Sequence, residues 1–214
     1  SSTDLITNGT FDYNFGPELI WGGGTFDASQ GLGGWTINQP AGDGNVYHAT
    51  NDPNGNGEDS AGNTLDGSGR AYFDAVIAQY PGFNDTNLVQ YLSGLDINKY
   101  YKVSVEYQIQ PNSNGDYKSL YMFAHGNTYS SNIITLSDDS TNGGVRTRTI
   151  TYQPSEDPSN SGQMDPSTNI RFGGHADESH GYIDNVSIVE RQPAVGWLVD
   201  PADTWDITMS PHAI

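Results

Sequence analysis

The chain has 214 residues, no cysteine and a formal net charge of −18, with 26 acidic side chains against 8 basic ones. The missing cysteine excludes disulfides and thiolate metal sites, and so acidic a surface repels phosphate backbones and anionic lipid, which argues against nucleic acid and membrane surfaces as partners. Hydrophobic content is only 34% and Gly reaches 26 residues, but 13 Tyr and 4 Trp are too many aromatics for a disordered chain.

In chain order, Asn8-Gly9-Thr10-Phe11-Asp12 and then Gly34-Trp35-Thr36 read as strand starts, with Trp35 directed into the core. A polar loop follows from Asp52 to Gly69. Strands are expected over Ala71 to Ile77 and Leu88 to Leu92. The clearest strand alternates Tyr101, Val103, Val105, Tyr107 and Ile109 on one face with Lys102, Ser104, Glu106 and Gln108 on the other, the period-2 pattern of a half-buried strand. Asn114-Gly115 signals a hairpin into a strand from Tyr117 to Ala124, whose polar-side face carries Ser119, Tyr121 and Phe123. Further strands are expected at Val145 to Tyr152, Asn169 to Phe172 and Tyr182 to Glu190. Asp138 to Gly144 and Pro154 to Ser167 read as loops, the second because Pro154, Pro158 and Pro166 oppose regular structure. No apolar run is long enough to cross a bilayer, so membrane insertion is not expected.

Many short strands between Gly/Asn/Asp turns indicate an all-β fold, a β-sandwich jelly roll of two antiparallel sheets. The division is a domain over residues 1–191 and an extended C-terminal arm over 192–214, where Pro193, Pro201 and Pro211 accompany Trp197 and Trp205. The arm either wraps its own domain or docks on another subunit or a scaffold.

Two acids stand near strand starts at opposite ends of the chain. If the first and last strands of one sheet pair, Asp12 and Asp184 come together as a hard, oxygen-rich site suited to Ca²⁺. A weaker metal candidate is Asp52-Pro53-Asn54-Gly55-Asn56-Gly57, with oxygen side chains at Asp52, Asn54 and Asn56 and Gly at the sixth place, like the front of an EF-hand loop. Position twelve is Asn63, which lacks the bidentate carboxylate. His175-Ala176-Asp177-Glu178-Ser179-His180 gathers metal-capable side chains in what reads as an exposed turn.

The ordered motifs resemble the carbohydrate-binding module superfamily that includes families 4, 9 and 22. Its opening Asn-Gly-x-Phe-Glu/Asp and Gly-Trp are met by Asn8 to Asp12 and Gly34-Trp35. Asp66-Gly67-Ser68-Gly69-Arg70-Ala71-Tyr72 meets the middle element, Leu88-Val89-Gln90 and Tyr101-Lys102-Val103-Ser104 the next, and Tyr182 to Ile188 the closing Tyr-Ile-Asp-x-Val-x-Ile. The resemblance covers about residues 5–190. It implies a structural Ca²⁺ held by Asp12 and Asp184, with backbone oxygens near Asn8, Asp66 and Gly67. The stretch between Phe11 and Trp35, the loop from Asp43 to Gly69 and the arm depart from the pattern.

Sugar recognition in such a fold needs aromatic platforms and polar side chains in a cleft, because pyranose rings stack on Tyr or Trp while amides and charges fix hydroxyls. The candidates are Glu106 and Gln108 on one strand, Ser119, Tyr121 and Phe123 on the next, Arg171 as a donor, and Trp21 and Tyr80 as rim residues. Catalysis is not expected: no carboxylate pair is singled out by spacing, and there is no nucleophile elbow or His-Glu-x-x-His. The reading is a non-catalytic, calcium-stabilised module that binds a polysaccharide or cell-surface glycan, extracellular or surface-exposed. The competing reading is a structural surface protein (an adhesin, virion fibre or capsid decoration) that forms a homo-oligomer or scaffold contact through residues 192–214.

Overall fold

A computed structural model describes residues 14–20, 24–26, 31–40, 42–50, 55–65, 69–77, 86–125, 133–137 and 144–192. Its strands are β1 (Asn14–Glu18), β2 (Thr36–Asn38), β3 (Asn45–His48), β4 (Ala71–Val76), β5 (Asn87–Tyr91), β6 (Tyr101–Gln110), β7 (Leu120–His125), β8 (Ile133–Leu136), β9 (Arg146–Tyr152), β10 (Glu156–Asp157), β11 (Asn160–Met164), β12 (Asn169–Gly174) and β13 (Ser179–Gln192). No helix occurs among the described residues, so none is long and apolar enough to cross a membrane.

The fold is an all-β sandwich. One sheet runs β3-β4-β13-β6-β9, with β1 also on β13; the other runs β2-β5-β12-β7-β8. Every pairing is antiparallel. β13 is the spine of the first sheet: β6 flanks one side of it, while β4 and then β1 share the other.

The core lies between the sheets and follows from alternation. β6 buries Tyr101, Val103, Val105, Tyr107 and Ile109 and leaves each intervening residue half-buried. β7 sends Leu120, Met122 and Ala124 inward, and β12 sends Ile170 and Phe172. Trp35 is 8% exposed; its ring lies 5.7 Å from that of Phe26 and 6.0 Å from that of Phe172, within the range of favourable aromatic pairs.

Two expectations are corrected. The turn after β6 does not make a hairpin within one sheet. Asn112 Oδ1 accepts the amides of Asn114 and Asp116, and this tight turn delivers the chain from the first sheet to the second, where β7 pairs with β12 and β8. The Pro154–Ser167 loop contains the β10–β11 hairpin. Its prolines sit outside the two short strands, and side chains hold the turn: Asp157 accepts from the Ser159 amide and the Asn160 side chain, while Glu156 accepts from the Gly162 amide and the Ser161 hydroxyl. The C-terminal strand runs on to Gln192; residues 193–214 lie outside the described residues.

Candidate functional site

The outer face of the second sheet carries Tyr121, Phe123 and Arg171. Side chains that alternate with the core point there, and register sets them in rows. One row crosses Asn38, Asn87, Gly173, Tyr121 and Thr135. The next crosses Thr36, Val89, Arg171, Phe123 and Ile133. In a third row Tyr91 stands opposite Asn169, and Asn169 opposite His125. Asn38 Nδ2 donates to Asn87 Oδ1 at 3.2 Å, and Asn169 Nδ2 donates to the Ser167 carbonyl.

β12 lies directly beside β7, so Arg171 is opposite Phe123, and Tyr121 is opposite Gly173. These residues do not form an open aromatic floor. Tyr121, Phe123 and Arg171 are 5%, 2% and 8% exposed. For Tyr121 the reason is visible: a Cβ built on Gly173 would lie 2.7–2.8 Å from the ring's Cε1, Cζ and hydroxyl oxygen. The ring therefore lies down across β12, in space that only glycine leaves. Ser119 is half-buried, and its carbonyl accepts from the His175 amide and the Ser179 hydroxyl. Tyr91 is different, at 62% exposed. Sequence reading passed over it, although its place in Leu88-Val89-Gln90-Tyr91, three residues after a core Leu, is the signal of an outward side chain.

Glu106 and Gln108 are not part of this face. They alternate with Val105, Tyr107 and Ile109 and so project from the outer face of the first sheet, on the opposite side of the sandwich. Packed sheets lie about 10 Å apart before either set of outward side chains begins, so one small ligand cannot touch both. Trp21 and Tyr80 lie outside the described residues.

Of the residues implied for calcium, Asn8, Asp12, Asp66 and Gly67 lie outside the described residues. β1 and β13 do pair, but Asn14 is opposite Gln192, so β1 enters at the end of β13 remote from Asp184. The carboxylate that joins the two strands is Glu18. Its Oε1 accepts the amides of Leu19, Ile20 and Ile188 at 2.9, 3.0 and 2.7 Å, and its Oε2 accepts the Ser187 hydroxyl at 2.5 Å. Asp184 is half-buried, accepts the Asn185 amide at 2.7 Å, and stands opposite Glu106. Like charges at facing positions repel, and this pair is the described feature that suits a cation near Asp184. A bulge follows between Asp184 and Ser187, with Asn185 at φ +48°, and Val186 donates its amide to the Gly24 carbonyl.

In the weaker candidate loop, Asp52 and Asn54 lie outside the described residues. Asn56 Oδ1 accepts the Glu58 amide at 3.0 Å, an exposed turn contact. The segment His175 to His180 splits: His175, Asp177 and Glu178 are exposed, but His180 is in β13 and only 2% exposed. The expectation of an exposed turn is corrected there, because β13 begins at Ser179 and carries His180 into the sheet.

No family profile and no curated protein sequence matches the chain. Solved structures do. A family 16 carbohydrate-binding module is 16% identical, with a TM-score of 0.45 over 80% of this chain and 99% of that one. The family 22 xylan-binding domain from Paenibacillus barcinonensis is 10% identical, with a TM-score of 0.43 over 86% and 98%. A cyclase from Fischerella sp. TAU is 15% identical, with a TM-score of 0.48 over 85% and 99%. At this level the chain is similar to carbohydrate-binding modules and to an enzyme alike.

Proposed function

We propose that this chain is a non-catalytic glycan-binding module, secreted or displayed on a surface, with a neutral polysaccharide or cell-surface glycan as ligand and Ca²⁺ as a structural ion near Asp184. The observation that carries the reading is Tyr91, exposed at the end of the second sheet's outer face and opposite Asn169 in register. An exposed aromatic ring is the platform that the apolar face of a pyranose needs. A net charge of −18 disfavours anionic glycans. Assembly through residues 192–214, the other reading of the sequence, draws on side chains outside the described residues.

The test is affinity electrophoresis of the full chain in Ca²⁺ buffer through gels containing β-glucan, xylan or mannan. Retardation by at least one of them is expected, with no reducing sugar released on incubation. Tyr91→Ala is expected to weaken that interaction by about tenfold, the equivalent of about 1.4 kcal/mol of stacking. Absence of retardation in every gel overturns the glycan reading; release of reducing sugar overturns the non-catalytic part.

A further inference from the structure

One buried polar cluster is used neither by the core nor by the face around Tyr91. Asp59, Asp74 and His180 come from three separate places: the turn segment 55–65, β4 and β13. They are 5%, 2% and 2% exposed. One ligand-capable atom from each lies within 4.8 Å of the others. His180 Nδ1 is 2.9 Å from Asp59 Oδ2 and 3.5 Å from Asp74 Oδ1. Two atoms bound to one first-row metal at about 2.0–2.2 Å sit about 3–3.5 Å apart, so these separations already suit a shared ion.

The backbone is arranged to bring Asp74 there. Val76 is opposite Ser179 and Phe73 is opposite Gly181, so Asp74 and Ala75 together face His180. Such a bulge re-aims a side chain. It is held at a cost, since Ala75 has φ +51°, a conformation that disfavours any residue with a Cβ. Gly44 makes room for it, because a Cβ there would lie 2.4 Å from the Ala75 carbonyl oxygen.

The carboxylates are also oriented from behind. Asp59 Oδ1 accepts the amides of Ala61 and Asn63, and its Oδ2 accepts the Asn63 side-chain amide. Asp74 accepts the Ser60 amide and hydroxyl. Outer partners of this kind fix metal ligands. Burial pushes the Asp59 pKa up, but hydrogen bonds from His180 and Asn63 outweigh it and hold the group below its ordinary value.

The cluster therefore places two acids around a single ring nitrogen. A third oxygen comes from the facing strand. Gln110 is directly opposite His180 across β6 and β13, and its Oε1 is buried with no hydrogen-bond partner among the described residues. One Nδ1–H points in a single direction and cannot serve both carboxylates equally, whereas a cation can. We infer that Asp59, Asp74 and His180 form a site for a divalent transition metal of the Zn²⁺ class, with Gln110 Oε1 placed to complete it. The imidazole favours such an ion over Ca²⁺ or Mg²⁺, which prefer oxygen alone. The metal would fasten segment 55–65 to the first sheet's outer face, where Leu65 packs on Tyr47, Tyr72 and Tyr182.

The experiment is a Co²⁺ titration of the chelator-treated full chain, followed by visible absorption, with competition by Zn²⁺. One equivalent of Co²⁺ is expected to give the intense d–d bands of a four-coordinate site, and Zn²⁺ to remove them. Tm is expected to rise by about 5–10 °C at metal about 100-fold above Kd. His180→Gln is expected to abolish the bands. Should that variant not fold, the wild-type chain still decides: NMR of the Co²⁺ form must show one paramagnetically shifted imidazole, assigned to His180. Absent bands, bands that persist in His180→Gln, or a shifted imidazole from another histidine each overturn the site. Ca²⁺ near Asp184 gives no visible band, so the two ions are told apart.

Discussion

Gly173 illustrates how one missing methyl group sets the outer face of the second sheet. Its Cα hydrogen faces the Tyr121 ring, and a Cβ would enter that ring's van der Waals envelope. Gly173→Ala is expected to lift the ring off β12 and to cost about 1–3 kcal/mol, the usual range for overpacking, read as a lower urea midpoint with unchanged slope. The sequence showed that Tyr121 and Phe123 share a side of their strand, since Leu120, Met122 and Ala124 so plainly take the other. It could not show that the ring lies flat, because that depends on a glycine fifty-two positions further along. Nor could it unite Asp59, Asp74 and His180, whose meeting depends on a bulge opposite β13 and not on spacing.

Elements were legible in proportion to their apolar alternation. β6 announces itself through ten residues of strict period two. β1, with Gly and Pro in Asn-Phe-Gly-Pro-Glu, and β2, three exposed residues long, carry no such signal; pairing partners alone make them strands. Alternation also cannot say which sheet the next strand joins, which is why Glu106 and Tyr121 look like neighbours in the sequence and are not. At the β1–β13 junction, Glu18→Ala removes an acceptor shared by three amides and a hydroxyl. It is expected to cost about 1–2 kcal/mol and to speed hydrogen exchange at the Ile188 amide. The β10–β11 hairpin answers to pH. The Gly162 amide and then the Ser161 hydroxyl hold the Glu156 pKa below its ordinary value. A lowered folded-state pKa means that this support is complete above the unfolded value of 4.5 and is lost as pH falls through the folded one. Exchange at the Gly162 amide should therefore lose protection, relative to Glu156→Gln, on acidification across that window.

For the whole molecule, the surplus of negative charge makes bound cations the natural source of added stability. Calcium near Asp184 predicts that Ca²⁺, but not Mg²⁺, raises the Tm of the chelated protein. Asp184→Asn should remove the response. Unchanged melting when Ca²⁺ is added to the chelated protein excludes that ion. The two outer faces differ in what they hold: the first carries Asp184 opposite Glu106 and the buried His180 cluster, the second the exposed Tyr91.

The placement of β13 bears on how the protein is made. The spine of the first sheet is the last strand described, and it joins partners as early as Asn14 and as late as Tyr101–Gln110. Until residues near 190 have left the ribosome, β4 and β6 have nothing between them, and the N–H and C=O groups along their facing edges stay unpaired. Such distant closures slow folding. Completion of this sheet must wait until β13 has left the ribosome, and nascent chains halted before Ser179 should be captured by chaperones or degraded.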